Sequence, residues 1–153
     1  MIQRVQSIYL FLASLAIFAL YLFPLLHSAG IPPVTIMVTG SYIEGAGLKA
    51  MTSHFVALSA VTAIIGLIPL VIIFRFRNRK QQIALCWSTI LVIVGYSFWM
   101  TQCAKGVIGD GAVKVGNFGI GVLLCPVAIV LIIAAVKAIQ RDEKLIKSAD
   151  RLR

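Results

Sequence analysis

Four stretches of this chain run for about twenty residues without an Asp, Glu, Lys or Arg, and each is long enough to cross roughly 30 Å of hydrocarbon as a helix. They cover about residues 7–27 (SIYLFLASLAIFALYLFPLLH), 54–74 (HFVALSAVTAIIGLIPLVIIF), 83–103 (IALCWSTILVIVGYSFWMTQC) and 116–136 (GNFGIGVLLCPVAIVLIIAAV). Inside lipid no water is present to satisfy backbone N–H and C=O groups, so such stretches must close their own hydrogen bonds as helices. The expected fold is an all-α membrane protein, a four-transmembrane-helix bundle in one domain over residues 1–153, with a cytoplasmic helical tail at 137–153. Composition agrees: 60% of residues are hydrophobic and 12% charged, about half the charged share of a soluble domain. A first apolar run behind Arg4 could also be read as a signal peptide, but it is too long for a typical cleaved segment and is expected to remain as a helix.

Charge orients the spans. Arg4, the four basic residues of the connector at 75–80 and the six in the tail from Lys137 make 11, against Lys49, Lys105 and Lys114 in the other two loops. The larger set belongs on the cytoplasmic side, so both termini are expected there. The net charge of +9 is then explained by topology and anionic lipid headgroups, and no nucleic-acid partner is expected. The implied location is a bacterial inner membrane, crossed several times.

Between the first two spans, Val34-Thr35-Ile36-Met37-Val38-Thr39 is rich in strand formers, and Gly40-Ser41 could turn the chain into Tyr42-Ile43. A small β-hairpin capping the bundle and an irregular loop are both open readings. The second outer loop, 104–115, holds Gly106, Gly109 and Gly111 and reads as a flexible turn. Pro24, Pro69 and Pro126 would kink the helices. Ser59 and Ala63, and Ala13, Ala16 and Ala19, are spaced for close helix contact. The tail, KAIQRDEKLIKSADRLR, has strong helix formers and an i,i+4 pair in Glu143 and Lys147. Its dense mixed charge exceeds what topology needs.

Chemistry is not encoded in any recognisable pattern. No acidic or basic residue stands in the middle of a span, where it would mark an ion pathway. His27 and His54 fall at the outer interface without a Cys or carboxylate at ligand spacing, and Cys86, Cys103 and Cys125 match neither a metal motif nor a disulfide framework. No nucleophile, zincin or phosphate-loop motif occurs. No catalytic residue, cofactor or metal is expected.

Three charged segments carry a resemblance: residues 1–7 (MIQRVQS), 77–83 (RNRKQQI) and 141–153 (RDEKLIKSADRLR). Together they resemble an uncharacterised family of four-helix membrane proteins from Bacteroidota, a domain of unknown function. The resemblance implies an inner-membrane location and no catalytic residues. Since all three segments fall on the expected cytoplasmic face, that face is the expected partner-binding surface: Arg4, Arg77, Arg79, Lys80, Asp142, Glu143, Lys147, Asp150, Arg151 and Arg153. The expected function is a non-catalytic accessory or structural subunit of a larger inner-membrane complex, for protein export or envelope biogenesis, with the lipid bilayer and a membrane protein as partners. The alternative is a small transporter or channel.

Overall fold

The computed structural model describes residues 3–28, 33–45, 48–75, 78–108 and 117–150. Among these, four α-helices alternate with one small sheet: α1 (Gln3–Phe18), continued by a 3-10 turn over Ala19–Tyr21, then β1 (Leu26–Ser28), β2 (Val34–Met37), β3 (Gly40–Gly45), β4 (Leu48–His54), α2 (Val56–Phe74), α3 (Arg79–Ile108) and α4 (Gly121–Asp150). Three helical stretches are long and apolar enough to cross a membrane: Val56–Phe74, Arg79–Val107 and Gly121–Leu145. Val5–Tyr21 is a shorter apolar helix. This is the build of a membrane protein.

The helices form a ring in which α1 packs on α2 and α4, and α3 packs on α2 and α4. Neighbours run antiparallel. The Ser14 hydroxyl donates to the Gly66 carbonyl at 2.7 Å, while Tyr21, further along α1, donates to the Ser59 carbonyl, earlier on α2. Each helix contributes one buried stripe at helical spacing, such as Leu10, Ala13 and Ile17 on α1, continued by Leu20 in its 3-10 turn, or Cys125, Ala128, Ile132, Ala135 and Ile139 on α4. The outward faces are as apolar as the core: Phe11, Ile64, Leu91, Phe98, Leu123 and Val130 are all more than half exposed. An apolar girdle of this kind in water would carry an unfavourable surface far beyond what a soluble monomer exposes, whereas lipid solvates it.

Hydroxyls inside the ring bond close to home. Thr62 donates to the Leu58 carbonyl at 2.7 Å and also meets the Tyr96 hydroxyl across the α2–α3 contact. Thr89 donates to the Leu85 carbonyl of its own helix at 2.7 Å. Each of these hydroxyls is thus matched by a neighbour, and between these points the ring is filled mainly by Leu, Ile, Ala and Cys side chains.

The helix termini differ from the expected spans where hydropathy is blind to backbone geometry. The first helical run begins at Gln3 and ends by Tyr21, short of residue 27, and Leu26-His27-Ser28 is a strand. The third helix is longer at both ends, Arg79–Ile108, so Gly106 is helical rather than part of a flexible loop. Gly109 and Gly111 lie outside the described residues. The fourth begins at Gly121 rather than at 116. Pro69 is buried inside α2 and Pro126 lies inside α4, whereas Pro24 falls after the first helical run.

The hairpin is present, within a four-stranded antiparallel meander in the order β1-β2-β3-β4, so the fold is mostly rather than entirely helical. Its turn differs from the expected one. Met37 pairs with Gly40, which leaves Val38-Thr39 as the turn and puts Gly40-Ser41 at the start of β3. The sheet caps the bundle end: Leu26 and Ile36 pack with Ala104 of α3, the Leu25 amide donates to the Ile36 carbonyl at 2.8 Å, and the Phe55 amide donates to the Thr39 carbonyl at 3.1 Å.

The same end is tied to α4 by backbone hydrogen bonds. The Gly119 amide donates to the Leu25 carbonyl at 2.8 Å and the Gly121 amide to the Pro24 carbonyl at 3.0 Å, beside a bridge between Leu26 and Phe118. The approach is so close that a Cβ on Gly119 would stand 2.2 Å from the Pro24 oxygen, which only glycine avoids.

Candidate functional site

At the other end of the ring the stripes become polar. Among the side chains described, the first buried one of α1 is Gln6, that of α3 is Gln82 and the last of α4 is Asp142, with exposures of 5%, 1% and 6%. Antiparallel packing brings these ends together, because the N-termini of α1 and α3 lie with the C-termini of α2 and α4. The Gln82 side-chain amide donates to the Ile72 carbonyl at the end of α2, at 3.3 Å.

Unlike the hydroxyls deeper in the ring, this layer is incompletely bonded. Three buried side-chain atoms lack a hydrogen-bond partner among the described residues: Arg79 Nη1, Gln82 Oε1 and Asp142 Oδ1. Two belong to the first turn of α3 and one continues the buried stripe of α4. Leaving a buried polar atom unpaired costs about 1–3 kcal/mol, more for a charged group, so three at this end of the ring make it the place where partners from outside the chain would be favoured. Beside them a shallow cleft of about 360 Å³ opens, lined by Asn78, Arg79, Lys80 and Gln81 of α3 and by Glu143 of α4. Asn78 caps the turn into α3: its side chain donates to Gln81 Oε1 at 3.3 Å and its carbonyl accepts the Gln82 amide at 3.0 Å.

The model of a family described as "Domain of unknown function (DUF4293)" covers residues 2–152. The chain belongs to this family. Among curated proteins and among solved structures, nothing matches it. In this DUF4293 chain, Arg79, Lys80 and Glu143 of the expected partner-binding set meet at one cleft. Asp142 is turned into the bundle instead of outward. The signal for that was helical phase: Ile132, Ala135 and Ile139 continue at i+3 to residue 142. Arg4 lies in the first turn of α1, and Lys147 and Asp150 lie in the last turns of α4, all at the same end of the ring. Arg77, Arg151 and Arg153 are outside the described residues. Sequence reading missed Gln6 and Gln82, whose polarity looked like ordinary flanking of a span.

The two histidines stand apart. His27 is on β1, 3.3 Å from the Thr35 hydroxyl through Nδ1, and His54 ends β4. Three strand spacings of about 4.8 Å separate these outer strands, so the rings do not share a ligand. Among the described residues no three His, Cys, Asp or Glu side chains are placed to hold a metal ion.

Proposed function

We propose that this protein is a non-catalytic accessory or structural subunit of a larger assembly in a bacterial inner membrane, serving protein export or envelope biogenesis, and that it docks through its cytoplasmic face. The observation that carries this reading is the contrast between the two parts of the molecule. The ring interior is filled by apolar side chains with locally bonded hydroxyls, whereas unsatisfied polar groups and clustered charge gather at one end. A transporter or channel needs a polar path, and the core offers little for one despite Pro69 and Pro126.

In this reading all four helices cross the membrane with both termini in the cytoplasm. The run from Gln3 to Tyr21 supports α1 as the fourth span. The 3-10 turn rises about 2 Å per residue against 1.5 Å for an α-helix, so the run reaches about 30 Å. The basic residues then sit on the inner side, as the distribution of Lys and Arg favours. The docking surface comprises Arg79, Lys80 and Glu143 at the cleft, Arg77 nearby in the chain, Arg4 in the first turn of α1 at the same end of the ring, and the tail through Lys147, Asp150, Arg151 and Arg153.

Purification from native membranes in mild detergent, followed by mass spectrometry, is expected to recover a membrane-protein companion in stoichiometric amount. Deleting residues 148–153 should leave membrane insertion and abundance nearly unchanged and lower recovery of that companion about tenfold, the equivalent of one lost charge-assisted contact. A chain that purifies alone, or a deletion that lowers abundance as much as companion recovery, contradicts docking.

A further inference from the structure

The cleft between α3 and α4 has walls of opposite charge. Arg79 and Lys80 stand on one side with the Asn78 amide, at the N-terminus of the 30-residue α3, and Glu143 stands on the other. We propose that this cleft binds the headgroup of a phospholipid carrying both a phosphate and a primary ammonium, drawn from the leaflet at this end of the bundle. The inference rests on the membrane reading above but not on docking to a partner.

The chemistry selects this occupant in three steps. First, Arg79 calls for an anion. Its guanidinium is half-buried and lines the cleft, and its buried Nη1 has no acceptor among the described residues. A planar fork of five donors with Lys80 beside it suits a phosphate, and the first amides of a long helix add a favourable dipole. Second, Glu143 would repel a simple anion, and it offers several acceptor sites for an ammonium, whatever else it bonds. Next to it in the chain, Asp142 is 94% buried, and Gln82 on the α3 side is 99% buried; each holds an oxygen with no donor among the described residues, so the surroundings of the cleft are short of N–H donors. Third, the location fits a lipid. The cleft lies where the apolar stripes of α3 and α4 end, and Leu85 and Val92, both exposed, continue along α3 on the face of the cleft-lining Gln81 and offer acyl chains an apolar track. A volume of about 360 Å³ lies at the lower end of small-molecule sites.

The test uses the full chain in nanodiscs made from equal parts phosphatidylethanolamine, phosphatidylglycerol and phosphatidylcholine. After extraction into mild detergent, mass spectrometry reads the phospholipids that stay bound. The wild type should retain phosphatidylethanolamine about tenfold over phosphatidylcholine, whose quaternary ammonium has no N–H to give Glu143. Glu143→Gln and Arg79→Gln should each bring that ratio close to one, whereas Lys105→Gln, toward the opposite end of α3, should leave it unchanged. Equal retention of the two lipids by the wild type overturns the proposal, whether or not the variants fold. So does a preference for phosphatidylglycerol that survives Glu143→Gln, which would mean simple attraction of anions, and so does displacement of the lipid by millimolar inorganic phosphate. A chain that enters nanodiscs but shows no lipid preference refutes this site alone; one that does not enter them refutes the membrane reading as well.

Discussion

Replacing Gly119 with alanine is expected to be the most damaging single-methyl change in the molecule. The new Cβ would meet the Pro24 carbonyl oxygen at 2.2 Å and its carbon at 2.9 Å. Both are backbone atoms, so no rotamer change relieves the clash, and the segments must separate. Separation breaks the Gly119-to-Leu25 and Gly121-to-Pro24 hydrogen bonds, at 2.8 and 3.0 Å, and loosens the bridge from Leu26 to Phe118. Overpacking alone costs about 1–3 kcal/mol and each lost bond about 1 kcal/mol, so a loss of about 3 kcal/mol or more is expected. The measurement is thermal unfolding of the detergent-solubilised protein. Gly95→Ala is the control: a Cβ there meets nothing within 4 Å, and alanine is the better helix former, so stability should hold or rise slightly. Equal effects at the two glycines would mean that the contact between the start of α4 and the Pro24 turn does not exist.

Gly66→Leu is expected to separate α1 from α2 near the middle of their contact. The Phe18 ring lies across Gly66, with three ring carbons at 3.0–3.2 Å from where a Cβ would stand. One turn away, the Ser14 hydroxyl donates to the Gly66 carbonyl at 2.7 Å, which fixes the two backbones at close range. A leucine adds three carbons beyond that Cβ and cannot fit without expelling the ring. The expected loss is about 1–3 kcal/mol plus part of the buried hydrogen bond. Unlike Gly119, the obstacle here is a side chain, so a second substitution can remove it. Phe18→Ala combined with Gly66→Leu should be more stable than the sum of the single changes implies, by at least about 1 kcal/mol in a double-mutant cycle. Strict additivity would show that the ring and the glycine are not in contact.

These two positions also mark how far the sequence could be read. Long apolar stretches locate α2, α3 and α4 because hydrophobic length is a local property. The end of the first helix is not local in that sense: Leu25-Leu26-His27 is apolar enough to extend a span, yet pairing with β2 draws it into a strand. The strand formers at 34–39 announced a hairpin, but the turn residues did not. Val38-Thr39 makes the turn because Val38 is fully buried in the main core, a tertiary demand that overrides the preference for Gly-Ser. Gly119 and Gly121 fall inside the fourth apolar stretch, 116–136, where hydropathy gives them no special role. Their requirement comes from Pro24, nearly a hundred residues earlier, and no pattern near them encodes it. At the polar end, charge segregation pointed to Arg79, Lys80 and Glu143. The inward turn of Asp142 was hidden because it sits among charged neighbours, where helical phase is easily mistaken for a solvated face.

Whether α1 crosses the membrane decides whether the polar layer, the cleft and both termini share one side. Single cysteines at Gln3, Gly45, Asn78 and Gly111, in a chain whose Cys86, Cys103 and Cys125 are replaced by serine or alanine, can be challenged in intact cells with a thiol reagent that does not cross the inner membrane. Labelling is expected at Gly45 and Gly111 and absent at Gln3 and Asn78 until the membrane is opened. Labelling of Gln3 together with Gly45 would leave α1 on the outer surface as a three-span protein, and labelling of Asn78 with protection of Gly45 and Gly111 would invert the orientation drawn from the basic residues; either result contradicts the account.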